Sequence, residues 1–253
     1  MPLTPILPEN QYDNGVILGY GNLLNASSTS DVEALTPNTY ERSREVAGAV
    51  TMKFNTPSDA SVNFVGIAAH NLSGETITIS YATTVGGATT VIDIMTVADN
   101  DPIFVTLDAI TIREIILTYT GSKATEVGYV SSGSYLQMPY PIYGGHTPIN
   151  LSPKTEYQNN ISESGQFLGR NVVRQGVESS YSFRYLDPDF VRGEFNDFVV
   201  SARTKPFFVQ WRNDLYPDES AFVFTTGDVN VSNSGGGTRL MSAEFSVRGH
   251  RDI

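Results

Sequence analysis

The chain has 253 residues, a formal net charge of −11, 40% hydrophobic and 17% charged residues, and no cysteine. That balance is too apolar for a disordered chain and too acidic for nucleic acid, whose phosphates call for clustered Lys and Arg. Without cysteine there are no disulfides or thiolate metal sites, which fits folding in a reducing cytoplasm.

No apolar run approaches the roughly 20 residues that span a bilayer, so no transmembrane helix is expected. Met1 to Asn10 lacks the basic and apolar regions of a secretory signal. Residues 1–21 read as a loop-rich leading segment with a turn at Asp13-Asn14-Gly15. Over 22–137, short strand patterns recur. Ala49 to Phe54 alternates, Asn63 to Ala69 is apolar throughout, and Thr76 to Tyr81 sets Ile77, Ile79 and Tyr81 against Thr and Ser. Gly86-Gly87 and Asp99-Asn100-Asp101-Pro102 mark turns around Thr89 to Met95. Ile103 to Leu107, Glu114 to Thr120 and Thr125 to Ser131 complete a series that predicts a jelly-roll β-sandwich.

Four prolines and Gly144-Gly145 within Met138 to Pro153 predict an irregular connector, placed over 138–165. The remainder, 166–253, reads as a second β-rich unit. In Val177 to Tyr185, the residues Tyr181, Phe183 and Tyr185 share one strand face. Asp187-Pro188 is a helix start, Val191, Phe195, Phe198 and Ala202 follow at helical spacing, and Pro206 stops a helix of about 188–203. Strands are expected at Phe207 to Arg212, Ala221 to Thr225, Asp228 to Ser232 and Arg239 to Arg248, with Gly235-Gly236-Gly237 a hairpin tip. The fold class is mainly β: a jelly-roll sandwich followed by a strand–helix–meander unit.

No catalytic constellation stands out. His70, His146 and His250 lie in unrelated segments without metal-ligand spacing, and His70 reads as a structural histidine. No Gly-x-Ser-x-Gly elbow occurs, and the triple glycine lacks the lysine of a phosphate loop. The acidic pairs Asp99 with Asp101 and Asp214 with Asp218 have the residue type for glycoside hydrolysis, but 27 acids make chance pairs expected. Asp99 and Asp101 are also candidate ligands for a hard cation, against the plainer reading of an Asx-rich turn. The run Phe207-Phe208-Val209-Gln210-Trp211-Arg212 reads as a strand buried on both faces. With Tyr216 it is also a candidate subunit interface, in which Phe207, Phe208, Trp211 and Tyr216 are the anchors.

The runs Phe167-Leu168-Gly169-Arg170, Tyr185-Leu186-Asp187-Pro188, Pro206-Phe207-Phe208-Val209-Gln210-Trp211, Tyr216-Pro217-Asp218-Glu219 and Phe245-Ser246-Val247-Arg248-Gly249-His250 resemble a family of tailed-bacteriophage minor tail proteins. The order of elements is similar to the tail-tube and distal-tail fold. Asn25-Ala26-Ser27-Ser28, Val65-Gly66-Ile67-Ala68-Ala69-His70-Asn71-Leu72 and Ile115-Ile116-Leu117-Thr118-Tyr119-Thr120-Gly121 look like a discoidin or galactose-binding-like jelly roll. The cysteine pair and tryptophan usual in that region are missing.

The resemblance implies a non-enzymatic, cofactor-free structural protein of the tail tip or baseplate, assembled in the bacterial host cytoplasm. Its implied partners are copies of itself in a ring and tube, hub or fibre proteins, without nucleic acid or membrane insertion. The alternatives are a carbohydrate-binding module contacting host surface polysaccharide and a head or neck decoration protein.

Overall fold

The computed structural model describes residues 15–26, 33–38, 40–45, 48–121, 123–213, 215–234 and 239–250. Asp214 and the triple glycine lie outside them, as does most of the leading segment. All strand pairing is antiparallel, and one continuous path of strands runs through both halves of the chain.

The N-terminal lobe is built on two long bent strands, β4 (Gly48–His70) and β7 (Ile103–Gly121), which pair along most of their length. The sequence suggests two separate strands in each of these stretches. They are continuous because the ladder is interrupted rather than ended. Pro57 has no N–H to give, and the register slips between Asn55 and Ala60, where Thr56 Oγ1 donates to the Ile112 carbonyl at 3.3 Å. β5 (Thr76–Ala82) and β6 (Thr89–Thr96) extend the sheet on the β7 side, and β8 (Thr125–Gln137) pairs with β4 on the other. Two short strands, Asn25–Ala26 and Ser43–Glu45, flank β4 and β8. Phe54, Val65, Ile67, Ile79 and Ile115 fill this lobe's core.

The leading segment contributes more than a loop. Ile17–Tyr20, here β1, is buried and central: it pairs with the end of β8 on one side and with β11 (Phe207–Gln210) on the other. From β11 the path continues through β12 (Ser220–Thr225) to β14 (Met241–His250) and β10 (Phe167–Leu186), with β13 (Asn230–Asn233) also on β14. Asp187 caps the expected helix, its carboxylate accepting from the Asp189 and Phe190 N–H groups. Gly193 divides the helix into α1 (Pro188–Arg192) and α2 (Glu194–Ala202). Phe195 and Phe198 point inward to meet Phe207, Phe183 and Phe245.

Two expectations are corrected here. The connector contains a strand, β9 (Pro153–Ile161), that pairs along the first half of β10 as an exposed ribbon, and Met138 and Ile149 within it are buried. Tyr185 does not join Tyr181 and Phe183 on the inner face. A bulge between Phe183 and Leu186 puts Tyr185 at φ 64°, turns it out to 55% exposure, and gives the core position to Leu186.

The lobes meet at a third cluster of Ile17, Phe64, Ala68, Phe104, Tyr129, Phe208 and Phe222. Phe208 stacks on Phe104 at 5.6 Å and also contacts Phe64, Tyr129 and Phe222. Two glycines make room for these rings. A Cβ on Gly66 would lie 2.5 Å from the Phe208 ring, and one on Gly19 would lie 2.4 Å from Phe104.

Candidate functional site

Two turns face each other where the lobes join. On the N-terminal lobe, the turn after β6 is fixed by its own side chains. Asp99 Oδ1 accepts the Asp101 N–H at 2.9 Å, and Asn100 Oδ1 accepts the Ser73 N–H at 3.1 Å. His70, fully buried, braces it from below. Its Nδ1 accepts the Leu72 N–H at 3.3 Å, so Nε2 carries the proton and donates to the Asp101 carbonyl at 2.9 Å. This is the structural histidine expected from sequence.

On the C-terminal lobe, the turn between β11 and β12 is held by Gln210 Nε2, which donates to the Pro217 carbonyl at 2.7 Å. Ser220 Oγ donates across the junction to the Pro102 carbonyl. Between the turns lies a cleft of about 540 Å³. Asp93, Asp99, Asp101 and Asp218 line it, together with hydroxyls such as Thr96, the Gln210 amide and an apolar floor that includes Met95 and Phe104. No Lys or Arg is among the described residues that line it. Gln210 is only 2% exposed, and its Oε1 is buried without a hydrogen-bond partner among the described residues. Such an orphaned acceptor costs about 1–3 kcal/mol unless something donates to it.

The fold thus gathers three of the sequence candidates, Asp99, Asp101 and Asp218, at one cleft. No cluster of three or more acids or histidines with metal-holding geometry occurs among the described residues. Asp93 and Gln210 carried no sequence signal, because nothing local links β6 to β11.

The aromatic run divides by depth. Phe207 and Phe208 are each 1% exposed on opposite faces of β11, so they are core residues and not interface anchors. Trp211 is half-buried and stacks on Tyr216, which is 47% exposed, with ring centroids 5.6 Å apart at 9°. Behind Trp211 the ring of His146 lies edge-on at 4.9 Å. His146 Nε2 is buried with no partner among the described residues, and burial holds its pKa below the usual histidine value. Tyr216 and Trp211 form an aromatic ledge one residue along the chain from Pro217 at the cleft wall.

Fold and cleft define a mainly β protein of two lobes with a carboxylate-lined cleft at their junction. No protein-family model and no curated protein matches the sequence. Among solved structures, the chain is similar to a CBM32 module of AlyQ bound to 4,5-unsaturated mannuronic acid, at 20% identity and TM-score 0.38, over 45% of this chain and 96% of that one. It is also similar to CpGH89CBM32-5 from Clostridium perfringens bound to GalNAc-beta-1,3-galactose, at 11% identity and TM-score 0.39, over 45% and 99%. A third likeness is to a GH29 fucosidase from Ruminococcus gnavus, at 10% identity and TM-score 0.36; it covers 41% of this chain but only 22% of the fucosidase.

Proposed function

We propose that this chain is a non-catalytic carbohydrate-binding protein that holds a neutral or amino sugar in the cleft between its lobes. The cleft itself carries this reading, and the partial likeness to carbohydrate-binding modules is not needed for it. Four aspartates, hydroxyls and a buried amide oxygen with an open lone pair are acceptors for sugar hydroxyls, while Met95 and Phe104 suit the C–H faces of a ring. The same carboxylates repel phosphates, sulfates and uronic acids. Asp99 spends an oxygen on its own turn and His70 spends both ring nitrogens on the backbone, so neither is poised for acid–base chemistry.

The test is a titration of the full chain with neutral and amino oligosaccharides, comparing wild type with an Asp93→Ala/Asp218→Ala double variant. Both residues line the cleft, and Asp93 lies on β6, where its Oδ1 accepts the neighbouring Ile94 N–H at 2.8 Å, so its removal leaves the two turns in place. Removal of two charged acceptors is expected to weaken binding at least about tenfold, from about 1.5–3 kcal/mol per charged hydrogen bond. Unchanged affinity in the double variant removes the cleft from the account.

A second reading is favoured by a different feature. The ribbon of β9 and the first half of β10 leaves Tyr157, Ile161, Phe167, Leu168, Val172 and Val173 each about half exposed or more. A two-stranded ribbon is marginally stable alone in water, and this one carries a large apolar surface. It fits a structural subunit whose ribbon packs on a neighbouring chain. The tailed-phage virion role implied by the sequence resemblance is the form of this reading that we propose, and sugar binding in the cleft is compatible with it.

A further inference from the structure

We infer that the C-terminal lobe carries a second ligand site, a tyrosine cradle with one guanidinium, selective for a sugar ring bearing a carboxylate. The cradle is a hollow of about 480 Å³ that shares no residue with the junction cleft. Tyr140, Tyr143 and Tyr185 line it at 42%, 43% and 55% exposure, beside Arg184 and the apolar Pro141 and Leu240.

Its geometry is imposed by the bulge in β10. In a regular strand Arg184 and Tyr185 would face opposite sides of the sheet. The register shift between Phe183 and Leu186 and the left-handed backbone of Tyr185 bring both residues to the outside. A bulky residue held at positive φ is strained, and bulges that re-aim a side chain are frequent beside functional sites.

The segment opposite is also pinned. The Tyr143 N–H donates to the Ser182 carbonyl at 2.7 Å, and Gly144 and Gly145 turn the chain away at φ 76° and 81°. The Arg184 guanidinium then lies 3.8 Å from the centre of the Tyr143 ring, with Tyr185 edge-on to the same ring at 6.4 Å. Arg184 is exposed as well as held over the Tyr143 ring, and a guanidinium is a planar fork of donors that takes a carboxylate through two hydrogen bonds. The tyrosine rings offer faces for C–H groups and phenol oxygens for hydroxyls. A single guanidinium suits one isolated carboxylate; a nucleic-acid backbone or an acidic peptide would need a run of positive charges. The inference does not rest on sugar binding in the cleft, whose four aspartates select against the same ligand.

The experiment is a calorimetric titration of the full chain carrying Asp93→Ala/Asp218→Ala, which removes the cleft's acceptors and leaves the cradle untouched, with a glucuronic acid oligosaccharide, the matched glucose oligosaccharide and polyglutamate. The glucuronic acid ligand is expected to bind at least about tenfold tighter than the glucose one or polyglutamate, and Arg184→Gln is expected to abolish that preference. Lys53→Gln, which removes an exposed charge on β4 outside both the cleft and the cradle, is expected to leave it intact. Tyr185→Gly relieves the left-handed strain, so it is expected to keep the parent chain's melting temperature or exceed it while losing binding at least about tenfold. Equal binding of all three ligands, a preference that survives Arg184→Gln, or undiminished binding by Tyr185→Gly would each overturn the inference.

Discussion

His146 sits beside the chain's single tryptophan, edge-on to Trp211 at 4.9 Å and 5.8 Å from the Tyr181 ring. Burial lowers its pKa, so the folded state resists a proton that the unfolded chain accepts at about pH 6.5. The sign follows from that difference. Above about pH 6.5 the imidazole is neutral in both states and contributes no pH dependence. Below it the unfolded chain binds the proton first, so stability falls as pH drops toward the lower folded pKa. Melting temperatures measured from about pH 7.5 to about pH 5 should therefore fall less steeply for His146→Phe than for wild type, with the difference confined to the acid side. Trp211 fluorescence should follow the same titration, because the only indole touches the ring that charges. A matched pH slope in the two proteins would show that His146 is not the responsible group.

At the scale of elements, local pattern was readable wherever one face of a strand meets a core. Alternation at Ile77 and Ile79 located β5, and Asp187-Pro188 with Phe195 and Phe198 located the helices. What escaped depends on partners distant in the chain. Ile17–Tyr20 is too short to signal a central strand, and its burial comes from β8 and β11 on either side. Tyr185 broke the alternation because a bulge, which leaves no mark in spacing, exchanged it with Leu186. The β9–β10 ribbon was hidden for the opposite reason: it has no core behind it, so its apolar residues show no inward face. Replacing Glu156 to Val173 by a short Asn-Gly turn should leave the melting transition intact, since those residues pack on neither core, while shifting the protein to a smaller species in light scattering. The same number of subunits per particle in the wild type and the shortened chain, once the 16 missing residues are allowed for, would argue against assembly through the ribbon.

Over the whole molecule, the arrangement of the lobes is what creates the cleft, since β6 and the turn after it supply one wall and the β11–β12 turn the other. The candidate acids were visible in the sequence, but their convergence was not, because it depends on β1 binding both lobes and on Phe208 entering the N-terminal one. That docking can be disturbed without touching the cleft. Gly66→Ala would force a methyl group into the Phe208 ring, and overpacking of this kind costs about 1–3 kcal/mol. For a chain of this size the loss corresponds to a fall of about 2–4 °C in melting temperature per kcal/mol. A Gly66→Ala protein that melts with wild type would mean the lobes are not held by this contact.

The most direct test of the central claim is to follow the titration with a neutral or amino oligosaccharide by NMR of the isotope-labelled full chain. Binding between the lobes should move the backbone amides of Thr96 and Asp101 and the side-chain amide of Gln210 together, as saturable shifts lost in the Asp93→Ala/Asp218→Ala variant. Saturable shifts confined to other loops, or no shift with any oligosaccharide tried, would contradict it.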